Sequence, residues 1–478
     1  MKNIEKYILQ FGSDPAIAGT SEKMIKNVIK AWTETGKEFP DIRPNLPKKD
    51  KEILIKLISD CIREKGGEIS RQAKVICVAM VYLNLSLRGK ERFLEMLAHD
   101  FDVNIEILDE NIHKLKDAVN DEELINAEIL LSDSLIPPRV KLLRQLITLP
   151  NGFIFLKDMR SDLLSIKSAP RLKKLSDDLK ALLKTYFDVN LLDLQEITWN
   201  SPAVMLERLM EYEAVHEISS WKALKYRLQT DHRVFAFTHY RMPNDPLIFV
   251  EVALVKGLSD NIAKLIDVNV KAGDPNKMDT AIFYSISSTQ KGLEGISFGN
   301  FLIKRVVKKL SAEYPNLKTF ATLSPIPKFR SWLTTYLQKG NESLFKQHEE
   351  EKISALSGNK NPAIGLLDLL NKKDWHLNQE IVACIKKPLM RLCLYYLSNA
   401  KRGKSIHAYD PVANFHLSNG AKIEKINWLA DLSKKGMTQS GGIMLNYHYR
   451  PDKIELNHEN YMSSGSVHIS VKERALWS

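Results

Sequence analysis

The feature that most constrains this chain is the run Leu247-Ile-Phe-Val-Glu-Val-Ala-Leu-Val255. Nine residues with a single charge read as a strand in the middle of a sheet, buried on both faces. Val234–Thr238 precedes it as another strand, with Asn244-Asp245 as a turn candidate between the two. Ala281–Ser287 and Lys318–Leu323 follow as a third and a fourth. Between these last two lie a glycine-bearing loop and a helix, Phe301–Leu310, with Leu302, Ile303, Val306, Val307 and Leu310 on one face. Strand, loop, helix and strand imply a right-handed crossover between parallel neighbours. Ala421–Trp428 and Ile443–Tyr449 return to strand texture near the end.

The preceding half has a different texture. From residue 1 to about 187, apolar residues recur at three- and four-residue steps, as in Leu142-Leu143-Leu146-Ile147 and Leu179-Leu182-Leu183. Pro137-Pro138 and Pro150-Asn151-Gly152 break this helical layer. A chain of 478 residues exceeds one ordinary core, so two domains are expected: 1–187, helical, and 188–478, α/β, with a polar helical insertion near 341–379. Ile197–Pro202 opens the second part and leads into a helix over Met205–Glu213.

Composition excludes several classes. Hydrophobic residues are 44% and charged residues 27%, so neither disorder nor a fibrous fold is expected. The net charge of +11 comes from bases interleaved with acids along the whole chain, and suits either plain solubility or a polyanionic small ligand better than nucleic acid. No membrane partner is expected either, because the apolar runs are too short to span a bilayer. Cys61, Cys77, Cys384 and Cys393 form no C-x-x-C pair and no disulfide framework, which points to a reducing compartment. The opening Met1–Lys6 has no apolar stretch, and Leu476-Trp477-Ser478 is not a Ser-Lys-Leu tail, so the expected location is cytoplasmic.

Three places carry chemistry. The loop Thr289–Asn300 contains Gly292, Gly295 and Gly299 and precedes a helix whose free N–H groups favour phosphate. It matches neither a Walker A sequence nor a dinucleotide fingerprint, and it reads equally as a plain strand-to-helix connection. Ser324, in Leu323-Ser-Pro-Ile-Pro327, stands at a strand end, either facing a ligand or capping the helix Phe329–Leu337. His416, in Asn414–Gly420, is either a satisfied core histidine or an acid–base group. His232 and His239, seven apart across a strand, read as structural. No histidine has metal-ligand spacing, so no metal is expected. Of Lys304, Arg305, Lys308 and Lys309 after the loop, each is either a phosphate contact or part of a solvated face.

Taken together, several long segments in order resemble the malonyl-CoA decarboxylase family. They include Phe101–Asn104, Pro137–Gln145, Ile197–Pro202, Glu213–His216 and Ala281–Ser287. Gly299–Val307, Leu323–Pro327 and Pro411–His416 are the strongest. The resemblance implies a helical oligomerisation domain followed by an acetyltransferase-like α/β domain with a mixed central sheet, in a homo-oligomer, a tetramer by family. It implies conversion of malonyl-CoA to acetyl-CoA and CO2, with no cofactor beyond the thioester substrate. Malonyl-CoA binding falls on Glu294, Gly295, Ile296, Ser297, Phe298, Gly299, Asn300, Ser324 and His416. Ser324 and His416 are then the catalytic pair, proton acceptor and proton donor, the histidine protonating an enolate. Ser297 stands where acetyltransferase loops often carry glycine or alanine. A CoA-dependent N-acyltransferase of the same fold is the alternative.

Overall fold

In the computed structural model, the described residues are 40–63, 67–167, 169–186, 191–240, 242–296, 299–340, 345–403 and 405–477. The chain divides into two compact units. One holds the described residues through Leu191 together with Tyr240–Met242 and Gln290–Ile296; the other holds the remainder.

The first unit is helical. Its described helices run from Lys48–Ile62 to Pro170–Lys184, and the buried stripes follow the predicted spacing: Leu142, Leu143, Leu146 and Ile147 are all at or below 2% exposure. A buried cation organises part of it. The Arg139 side chain is fully buried and meets Asp178 at 2.7 Å and Asp102 at 2.9 Å.

The second unit is built on an eight-stranded mixed sheet. Its strands are β1 (Leu192–Ile197), β2 (His232–His239), β3 (Ile248–Val255), β4 (Thr280–Ser288), β5 (Thr319–Thr322), β6 (Ser324–Pro325), β7 (Lys422–Asn427) and β8 (Met444–His448). The order is β1-β2-β3-β4-β5-β8-β6, with β7 also on β8. All pairings are antiparallel except β4 with β5. That parallel pair is joined through the helix Gly299–Glu313, whose Leu302, Ile303, Val306, Val307 and Leu310 are buried as the spacing required. Burying each such side chain is worth about 1.5–3 kcal/mol. β3 is buried along seven of its eight residues, which is why its sequence shows no alternation. His232 and His239 both end up buried at the two ends of β2.

Sequence pattern alone passed over β1. It lies at the edge of the sheet with only Leu192 and Ile197 buried, and its register against β2 runs from Leu192 opposite His239 to Ile197 opposite Val234. The 341–379 region holds helices Gln347–Ser357 and Pro362–Asn371. Among the described residues, no helix is long and apolar enough to cross a membrane.

Candidate active site

The parallel ladder of β4 on β5 ends at Phe283 opposite Thr322. Pro325 and Pro327 follow and have no N–H to continue a ladder, so the chain turns away. Beyond that point lies a cavity of about 390 Å³. Tyr284, Ile286 and Ser288 line it from β4, with Ser324 and Pro325 from β6 and Phe415 and His416 from the helix Pro411–Ser418. An opening at the carboxyl ends of parallel strands is the usual ligand position in α/β sheets.

Ser324 does not cap the following helix. That helix spans Phe329–Gln338 and its N-cap is Lys328, with no side-chain capping bond. The capping reading therefore fails: the two prolines hold the serine four residues upstream of that cap, where its backbone pairs with Leu445 of β8.

His416 sits on a short helix fixed at its start. Asp410 accepts from the N–H groups of Val412 at 2.9 Å and Ala413 at 3.0 Å, and Pro411 occupies the first turn. The same carboxylate accepts from the N–H of Lys328 at 3.4 Å and the hydroxyl of Tyr396 at 3.1 Å. One buried cap thus ties the segment after Ser324 to the helix bearing His416.

The two side chains, 92 positions apart, meet with Ser324 Oγ 3.0 Å from His416 Nε2. The imidazole stacks on Tyr447 (centroids 4.5 Å, planes 27° apart), and its Nδ1 lies 2.7 Å from the hydroxyl of Tyr449. Ser324 Oγ is also 2.8 Å from Thr322 Oγ1, which accepts from the N–H of Tyr447 at 3.1 Å and reaches the carbonyl of Leu445 at 3.4 Å. Hydrogen-bond balance orients this chain. If Tyr449 donates to Nδ1, then Nε2–H donates to Ser324, Ser324 to Thr322 and Thr322 to Leu445, and every proton has an acceptor. The reverse direction leaves the buried Tyr449 proton with none among the described residues. On this balance His416 donates toward Ser324.

Burial pushes the His416 imidazole down to about 3, so it is neutral at pH 7. His216 is pushed down to about 4 by the same cause. Both pKa values lie below the unfolded value near 6.5. Their contribution to stability is complete above that pH and declines as the pH falls toward the folded values. From pH 7 to pH 5, stability is expected to drop by about 2 kcal/mol for each group, read as the urea midpoint. His416→Asn removes its share of the slope; an unchanged slope contradicts the burial argument.

One glycine of the loop serves packing. Gly292 approaches protein, not open space: a Cβ there would lie 2.0 Å from the carbonyl oxygen of Lys157, within the helical unit. Arg160 of that unit donates to the carbonyls of Gly292 at 2.6 Å and Glu294 at 2.9 Å. Gly295 has φ +79°, which side-chain-bearing residues rarely adopt. Glu294 and Gly295 are exposed and Ile296 is buried. Ser297 and Phe298 lie outside the described residues, and Gly299 and Asn300 open the helix Gly299–Glu313. That helix packs against β2, β3 and the helix carrying His416. Three of its four cations are engaged: Lys304 with Glu455 at 2.6 Å, Lys309 with Glu196 at 3.7 Å, and Arg305 with the carbonyl of Leu192 at 2.9 Å. Among the described residues no cluster of metal-ligating side chains occurs.

Tyr449, Tyr447 and Thr322 escaped the sequence reading. The one available signal was period two, which places Tyr447 and Tyr449 on the same face of one strand; nothing in the sequence aims that face at His416.

Comparison with known proteins identifies the family. The profile of the malonyl-CoA decarboxylase C-terminal domain matches residues 190–476, and that of the N-terminal domain matches residues 101–187. The mitochondrial malonyl-CoA decarboxylase of Mus musculus is 38% identical over 366 residues, covering 74% of this chain and 73% of its own. That of Anser anser anser is also 38% identical, covering 74% and 71%. A crystal structure of malonyl-CoA decarboxylase from Rhodopseudomonas palustris superposes with TM-score 0.80 at 35% identity, covering 89% of this chain and 99% of that one. One from Agrobacterium vitis gives 0.79 at 35%, covering 89% and 100%. This chain belongs to the malonyl-CoA decarboxylase family and is a carboxy-lyase acting on malonyl-CoA.

Proposed function

We propose that decarboxylation runs through a thioester enolate whose carbon is protonated by His416, with Ser324 holding the malonyl group. The carrying observation is the 3.0 Å contact between Ser324 Oγ and His416 Nε2 at the wall of the cavity. The electron pair of the breaking C–CO2 bond moves onto the thioester, which becomes an enolate, and the carbon then takes one proton. The thioester is its own electron sink, so no cofactor is called for. The neutral imidazole takes a proton from solvent as the malonyl carboxylate enters beside it, because an adjacent opposite charge in a dry site favours the imidazolium. That proton goes to carbon, which returns the imidazole to its neutral form. Ser324, freed from Nε2, donates to the carboxylate or the thioester oxygen and keeps the carboxylate out of the enolate plane.

Turnover in D2O tests this. The acetyl-CoA formed should carry one deuterium in its methyl group, and hydroxylamine should trap no acyl-enzyme. An acyl-serine accumulating on Ser324 contradicts the scheme. Tyr449→Phe keeps the ring and removes the partner of Nδ1, so kcat should fall roughly tenfold with KM unchanged. A wild-type kcat would show that Tyr449 has no part in holding the imidazole.

We read the remaining substrate contacts as the loop Glu294–Asn300, the fold as acetyltransferase-like, and the assembly as a homo-oligomer formed through the helical domain 1–187, a tetramer by family. The parallel pair β4–β5, opening at its carboxyl end, supports the fold reading. Exposed Ile105, Ile125, Ile129 and Leu135 support the assembly. Four free cysteines fit a reducing compartment, the cytoplasm on our reading, although the names of the animal relatives place those proteins in mitochondria.

A further inference from the structure

We infer that a second groove, on the sheet-bearing unit, binds an adenine nucleotide, with its base against Trp332, Tyr336 and Tyr409 and its phosphates against Lys339 and Lys401. The net positive charge suits a polyanionic small ligand as well as solubility, and three of the four cations on the helix Gly299–Glu313 already have protein partners. This groove, about 470 Å³, has the missing combination. Trp332 stacks on Tyr336 with centroids 4.6 Å apart and planes 24° apart, and both rings are half-buried. Tyr409 is exposed and carries the ammonium of Lys328 over its ring at 5.6 Å. Lys339 and Lys401 line the same space, and no carboxylate lines it among the described residues. The Lys401 ammonium donates to the carbonyl of Gly465 at 3.3 Å, and burial lowers its pKa. It keeps donors for a phosphate, whose charge would restore its affinity for the proton. Flat rings beside acid-free cations suit a planar base joined to phosphate.

The groove adjoins the cavity through the chain itself. Pro325 lines the cavity while Ser331 and Trp332 line the groove, and Tyr409 lines the groove two residues before Pro411 lines the cavity. Two residues span at most about 7 Å. The nucleotide can therefore be the 3′-phosphorylated adenosine diphosphate end of the substrate, a reading that rests on the proposed function, or a free nucleotide.

The test uses the full chain, the double variant Lys339→Glu/Lys401→Glu, and Tyr409→Ala at an exposed ring. Malonyl-CoA is compared with malonyl-pantetheine, which lacks the nucleotide, and 3′,5′-ADP binding is followed by quenching of tryptophan fluorescence. If the groove takes the substrate's own end, both variants raise KM for malonyl-CoA about tenfold, with kcat and all malonyl-pantetheine kinetics unchanged. If it takes a free nucleotide, KM stays at the wild-type value for both thioesters, while 3′,5′-ADP quenches the wild type saturably and the variants far less. A wild-type KM together with no saturable quenching overturns the site, as does an equal rise in KM for both thioesters. Failure of the catalytic reading shows separately, as lost CO2 release from both thioesters in the wild type.

Discussion

His416→Ala is expected to lower kcat for CO2 release from malonyl-CoA by about 10²–10⁴-fold, the usual worth of one acid–base group. The imidazole is 3% exposed, stacked on Tyr447 and bonded at both nitrogens, so its removal takes away the proton donor and its orientation together. The cavity left is small, and the helix Pro411–Ser418 keeps its Asp410 cap, so the variant should fold. A Ser324→Ala, His416→Ala double variant separates the roles. If the pair acts as a unit, the double loss is close to that of His416→Ala alone; if the two act independently, the losses multiply. Near-wild-type kcat in folded His416→Ala sinks the assignment.

The largest stability effect is expected at Arg227→Met, about 3–5 kcal/mol at pH 7. Arg227 and Glu251 are 3% and 1% exposed and ion-paired to each other. Arg227 also donates to the carbonyl of His216 at 2.8 Å, next to Val215 at the cavity wall. Burial already pushes the Glu251 carboxyl up to about 7 against the pull of Arg227. Without the guanidinium it rises further. A carboxyl raised in the folded state contributes fully below its unfolded pKa and loses stability as the pH climbs through the folded one. The variant should therefore go on weakening above about pH 7, where the wild-type curve levels off, in urea titrations. Adding Glu251→Gln should recover the pH-dependent part of the loss, because it removes the carboxyl that must ionise without a partner. A pH-independent loss, unrelieved by Glu251→Gln, would mean that packing and not charge accounts for it.

Much of this was legible in the sequence, for local reasons. Hydrophobic period and run length reported the helical half, β2, β3, β4 and the helix Gly299–Glu313, because burial of an element's face is written along that element. β1 was missed because its apolar alternation breaks at Glu196 before Ile197, and Ser324 was ambiguous because Ser-Pro serves caps and strand ends alike. The motifs around Ser324 and His416 named the pair, but no pattern in the chain measured the distance between them. Contact across 92 positions is set by where β5 ends, by the prolines after it and by the Asp410 cap that binds both segments. The same holds for Tyr449, whose role depends on β8 lying beside Thr322, and for Gly292, whose lost side chain makes room for Lys157. Sequence determined which elements form and which residues could react. Only the tertiary structure decided which of them touch, because those contacts depend on backbone pairing between segments that carry no local record of each other.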